Sequence, residues 1–212
     1  MKKIVIIIIS MLFLITGCTN INKLNYSDIV NNISTSSPKN NIYRTGYSYY
    51  LPRGMQVSDS TMYNEVIEDA NSKYYLYVDV VSYEKKIEKD YHINDKAIYS
   101  SKISFEDKFG YVEINLLKNN KYLVEIMYNY AKIEVIVDKR YCNEAMLSII
   151  NILKSVEYND SIIANLMGDD ILSFSEEEFN IFNTKGSESN YLTIDNNYKE
   201  EEEKIPDPDL IN

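Results

Sequence analysis

The spacing of apolar and polar residues changes along the chain, and each change predicts a different kind of element. In Val112-Glu113-Ile114-Asn115-Leu116 and Tyr122-Leu123-Val124-Glu125-Ile126 apolar side chains alternate with acidic or polar ones. That period of two predicts strands with one face buried and the acidic residues on the other. Asn119-Asn120 lies between the two runs and tolerates positive φ, which predicts a tight hairpin turn. Lys132-Ile133-Glu134-Val135-Ile136-Val137 follows after Asn129-Tyr130-Ala131, so the three runs form an antiparallel meander. Upstream, residues 65–68 and 74–81 flank Ala70-Asn71-Ser72 and predict a further hairpin, while residues 47–51 and 97–105 supply edge strands. The period then becomes helical. Met146, Ile149, Ile150, Leu153 and Val156 share one helix face, with Asn143 as N-cap. The expected class is α+β: an antiparallel β-sheet of about five to seven strands with helices packed on it.

The N-terminus follows neither period. Lys2 and Lys3 precede an apolar run from Ile4 to Ile15, which is the charge and length of an export signal. Spanning a bilayer as a helix takes roughly 20 apolar residues, and this run ends at Thr16-Gly17-Cys18 before turning polar. Leu14-Ile15-Thr16-Gly17-Cys18 resembles the lipobox of bacterial lipoproteins. The resemblance implies cleavage between Gly17 and Cys18, lipidation of Cys18, and a membrane partner held through that lipid on the extracytoplasmic face. The implied lipid is a thioether-linked diacylglyceryl group, usually with acylation of the new amino group, so two or three chains would hold the protein, each buried methylene adding about 0.8 kcal/mol. The alternative is a plain secretory signal or a short uncleaved anchor, with Cys18 incidental.

Composition narrows the partners. The chain is 45% apolar, enough to bury a core rather than stay disordered. Removing residues 1–17 takes away Lys2 and Lys3, so the formal charge falls from −10 to −12. Nucleic acid is excluded as a partner, since binding it requires clusters of Lys and Arg against phosphates. An acidic chain is also repelled by anionic headgroups, so the lipid is expected to do the anchoring. With Cys18 lipidated, Cys142 has no partner for an intrachain disulfide.

These readings divide the chain into a signal peptide at 1–17, a lipidated Cys with a polar tether at 18–42, and an α+β domain at 43–158. An extension at 159–198 and an acidic tail at 199–212, expected to be disordered, complete it. Within the tether a short helix from Ser27 to Ile33 is possible, with Ser27 as its cap. In the extension Ser175 and Glu178 fit a capping box, and Phe174 with Phe179 a hydrophobic staple, so a short helix should begin at Ser175 with Phe179 and Phe182 on one face.

Tyr49-Tyr50-Leu51-Pro52-Arg53-Gly54-Met55, the paired central strands and the closing run Ile149 to Val156 resemble the PsbP-like fold. That fold is shared by photosystem extrinsic proteins, the DcrB lipoproteins and related bacterial lipoproteins. Covering residues 47–158, the resemblance implies an α/β/α sandwich and non-enzymatic adaptor or assembly roles. It carries no catalytic signature and places no metal ligand on this chain.

The sequence holds no G-x-S-x-G, H-E-x-x-H, Gly-rich phosphate loop, EF-hand loop or C-x-x-C. No catalytic residue, cofactor or metal site is expected. Cys142 and the solitary His92 are the one imaginable nucleophile and base, although Cys142 also sits one turn before Met146 on the apolar face. Gly168-Asp169-Asp170 offers oxygen ligands for Ca²⁺ without a dedicated spacing. Solvated loop carboxylates explain that run equally, and helix-start charges explain Glu176 to Glu178.

Tyrosine is abundant, at 20 residues. Tyr47 and Tyr49 are candidate binding residues, as are Phe179 and Phe182 of the extension; strand packing accounts for tyrosines equally well. Three functions follow. The first is a non-catalytic module that binds an envelope protein or peptide. The second is a small-molecule or glycan-binding lipoprotein using a Tyr-rich surface, and the third is a hydrolase with an unrecognised site.

Overall fold

Seven of the strands pair into one fully antiparallel sheet in the order β3-β4-β5-β9-β8-β7-β6. They are β3 (Gln56–Ser60), β4 (Asn64–Glu68), β5 (Lys73–Val78), β6 (Tyr99–Phe105), β7 (Lys108–Leu116), β8 (Lys121–Tyr128) and β9 (Ala131–Asp138). The computed structural model describes residues 21–168. A second, three-stranded sheet has the order β1-β2-β10, from β1 (Ile42–Arg44), β2 (Tyr47–Tyr49) and β10 (Glu157–Tyr158). The helices are α1 (Tyr26–Val30), α2 (Val80–Lys85), α3 (Cys142–Lys154) and α4 (Asp160–Gly168). The α+β class expected from the pattern is the class observed.

The meander β7-β8-β9 has the register that the alternation required. Val112 faces Ile126, Ile126 faces Ile133, and Ile114 faces Val124. Those side chains are 0% exposed and lie under α3, whose Met146, Ile149, Ile150 and Leu153 are equally buried. Asn119 and Asn120 turn the β7-β8 hairpin at φ of 59° and 58°, values a short amide side chain tolerates. Gly110 is required by contact and not by φ: a Cβ there would lie 2.0 Å from the Met127 carbonyl oxygen.

Several boundaries differ from the expectation, each for a local reason. Residues 47–51 do not edge the large sheet, because Tyr47–Tyr49 pairs with β1 and β10 instead. The opposite edge from β6 is β3. The run 74–81 stops at Val78, since Asp79 accepts the Ser82 backbone N–H at 2.9 Å and starts α2. The early helix begins at Tyr26, and the Asn25 carbonyl, not the Ser27 side chain, receives the first N–H groups. Asn143 lies inside the first turn of α3 rather than at its cap.

Part of the segment read as a polar tether is packed on the domain. Residues 21–35 pack on α3: Ile29 and Ile33 are buried, and Asn143 Nδ2 donates to the carbonyls of Ile21 at 2.8 Å and Leu24 at 2.9 Å. Lys154 Nζ donates to Thr35 Oγ1 at 2.7 Å. A polar composition hid this because three apolar side chains, Ile29, Val30 and Ile33, suffice to bury one short helical face.

Residues up to Tyr158 form one unit and those from Asn159 a second. The described part of the second is α4, where Asn159 Oδ1 accepts the Ile162 N–H at 3.1 Å as an N-cap. The expected helix from Ser175, Phe174, Phe179 and Phe182, the Asp169-Asp170 pair, the tail from 199, and Gly17 with Cys18 lie outside the described residues.

Candidate functional site

On the face of the large sheet away from α3, three glutamates stand in one cross-strand row. Glu113 of β7 is directly opposite Glu125 of β8, and Glu125 is directly opposite Glu134 of β9. Ser100 and Tyr75 continue the row on β6 and β5. Directly opposed side chains have Cβ atoms about 5 Å apart, where like charges repel. The alternating pattern implied a solvated acidic face, yet Glu113 is 5% and Glu134 2% exposed.

A strap of residues 86–98 covers the row. The Tyr91 ring stacks on Tyr111 at 4.1 Å, and its hydroxyl donates to Glu113 Oε2 at 2.5 Å. Asn94 Nδ2 and Asn115 Nδ2 donate to Glu113 Oε1 at 2.8 and 2.7 Å. Asp90 pairs with Lys102 of β6 at 3.5 Å, and Lys89 lies over the Tyr77 ring of β5. Where the PsbP-like resemblance implies helices on both faces, this strap is what occupies the outer face.

The three carboxyls are compensated unequally. Burial penalises the Glu113 charge, but donors from Tyr91, Asn115 and Asn94 outweigh it and hold the group below the usual carboxylate range. Glu134 Oε1 is 2.5 Å from Lys132 Nζ, while its buried Oε2 has no hydrogen-bond partner among the described residues. Glu125 is raised, first by burial and then by Glu134 and Glu113, against the lowering effects of Lys132 and the Tyr111 hydroxyl that donates to it. A proton on Glu125 relieves repulsion on both sides. Among the described residues no group of three His, Cys, Asp or Glu side chains could hold a metal ion.

Tyr47 and Tyr49 do not form an exposed aromatic platform. They are 2% and 0% exposed, and their hydroxyls donate to Glu65 Oε1 at 2.8 Å and Oε2 at 2.9 Å. Arg44 Nη2 completes this buried network at 2.7 Å from Glu65. Burial, then the Glu65 charge, pushes both phenols up, so they remain neutral donors. Neither ring is available to stack on a sugar. Tyr74 is buried too, bonded to Asp69 at 2.7 Å.

Cys142 and His92 are not a pair. Cys142 is buried on the α3 side, and burial pushes its thiol up to about 11 despite a hydrogen bond from Tyr26. His92 is exposed on the strap across the sheet, beside Asp90 at 3.6 Å.

The glutamate row was within reach of the sequence, since each meander strand carries a Glu flanked by apolar residues. What hid it was the strap: Tyr91 and Asn94 belong to a polar stretch with no period. Two adjoining depressions of about 260 and 470 Å³ lie at the Asn119-Asn120 end of the sheet, sharing Asn120, Lys139 and Arg140.

Comparison with protein-family models, with curated proteins and with solved structures finds no match to this chain.

Proposed function

We propose that the chain is a lipid-anchored lipoprotein of the extracytoplasmic membrane face, whose folded unit is a non-catalytic module that binds a protein or peptide. The observation that carries the anchoring half is a spacing. Cys18 closes a lipobox-like run, and only Thr19 and Asn20 separate it from Ile21, whose carbonyl is already bonded to Asn143 of α3. An acyl group on Cys18 therefore places the folded unit directly at the bilayer. The binding half is supported by the use of the buried polar groups: Glu65 and Glu113 are engaged by internal donors, while Cys142 and His92 are kept apart by the sheet. The likeness of residues 47–158 to PsbP-like adaptors points the same way.

Cell fractionation tests the anchor. Cys18→Ala is expected to abolish lipid labelling and shift the protein out of the membrane fraction. Retention in the membrane, unprocessed and running with the parent on a gel, would refute it. Pull-down from solubilised membranes tests the binding half, with loss of capture expected on deleting residues 170–198. Unchanged capture would remove that segment from the binding role.

A further inference from the structure

The chain is acidic as a whole, yet one end of the folded unit is not. Lys118 and Lys121 flank the Asn119-Asn120 turn, Lys139 and Arg140 line the adjoining depressions, and Lys23 follows Ile21 in the turn held by Asn143. All five side chains belong to exposed residues. Among the described residues, carboxylates near this end include Asp138, 4.0 Å from Arg140 and opposite Lys121 in the ladder, Asp28 and Glu144 in the first turns of α1 and α3, and Asp69, which accepts from Tyr74 beside Glu144. The two depressions themselves are lined by Lys139 and Arg140 against one carboxylate, Asp138. Leu116, 61% exposed, stands at the same hairpin end.

This is also the end where the chain leaves toward Cys18. The larger depression is lined by Tyr26, Asn120, Lys139, Arg140 and Asn143, and Asn143 bonds the Ile21 carbonyl at 2.8 Å. Three residue steps reach at most about 11 Å, so Cys18 lies within that distance of Ile21. A lipid on Cys18 therefore emerges beside the basic end.

We propose that the end formed by Lys23, Lys118, Lys121, Lys139 and Arg140 docks on anionic phospholipid headgroups and fixes the orientation of the anchored molecule. The inference rests on Cys18 being the acylated residue. The anchor supplies residence at the bilayer and the cations supply the direction, which the net charge alone would oppose. β8 rises from Lys121 to Tyr128, so the far turn at Asn129-Tyr130 stands roughly 23 Å further from the membrane.

The test couples the chain from residue 18 onward, through the Cys18 thiol, to maleimide-headgroup lipid in vesicles, leaving buried Cys142 unmodified. Hydrogen exchange is then compared on phosphatidylcholine vesicles with and without phosphatidylglycerol. Slower exchange at residues 118–121 and 139–141 is expected with the anionic lipid only, and 0.5 M salt should remove it. Lys139→Gln with Arg140→Gln should lower the docked-to-undocked ratio about 25-fold, taking about 5-fold per charge. Equal exchange on both vesicles, or protection elsewhere on the domain, overturns the proposal. Because the coupling is chemical, this result is independent of whether cells acylate Cys18, which the fractionation of Cys18→Ala decides.

Discussion

Glu125 on β8 faces Glu134 on β9 across one rung of the ladder, and Lys132 Nζ lies 2.5 Å from Glu134 Oε1. The pair sets a pH dependence of opposite sign from its neighbour. The carboxyl of Glu125 is raised in the folded state, so the native protein holds a proton that the unfolded chain has released above about pH 4.3. Its contribution to stability is therefore present at low pH and lost as pH rises through the folded value. Glu125→Gln should raise the thermal midpoint relative to the parent at neutral pH, with the gap closing below about pH 4. Glu113 is lowered, so its contribution is present above its unfolded value and lost as pH falls through the folded one. Glu113→Gln should cost about 1–2 kcal/mol at neutral pH, by mispairing one of the donors around it. Thermal unfolding from pH 3 to 8 checks both; a lower midpoint for Glu125→Gln at pH 8 would contradict this account.

Tyr91 fastens the strap by a ring and a hydroxyl acting together. Tyr91→Ala should release residues 86–98 while leaving the sheet intact. Trypsin should then cut at Lys86, Lys89 or Lys96 at least tenfold faster than in the parent, since local opening governs cleavage. Tyr91→Phe keeps the stack and should fall between the two.

Glu65 accepts from Arg44, Tyr47 and Tyr49 in a buried network. Glu65→Ala leaves these donors without their acceptor and should destabilise by about 3 kcal/mol or more, measured by urea unfolding. A loss below 1 kcal/mol would mean that water replaces the carboxylate.

Cys142 is buried and its thiol is pushed up to about 11. It should react with a thiol reagent at pH 7 only as fast as the protein opens, and completely in denaturant. Labelling in native buffer at the rate of a free thiol would contradict its burial.

The strands were legible wherever one face met the core, because a period of two cannot slip without exposing every apolar residue on that face. Val112, Ile114, Val124 and Ile126 declared their register, and Asn119-Asn120 declared the turn between them. The helix face from Met146 to Leu153 was equally plain. Within 21–35 the short helix with Ile29 and Ile33 on its apolar face was legible, but its docking on α3 was not, since that contact joins residues more than a hundred positions apart.

The sequence by itself determined the α+β class, the β7-β8-β9 meander and the helix that covers it, because local alternation dictates which side chains must leave water. Only the tertiary structure decided what the outer face became. Pairing in register stacked Glu113, Glu125 and Glu134 into one row, and a strap without periodicity buried it. It also decided that Tyr47 and Tyr49 bond Glu65 inside the protein, and that Ile21 is pinned to Asn143 three residues after Cys18. Contacts between residues far apart in the chain leave no local pattern, so those features could be read only from the folded molecule.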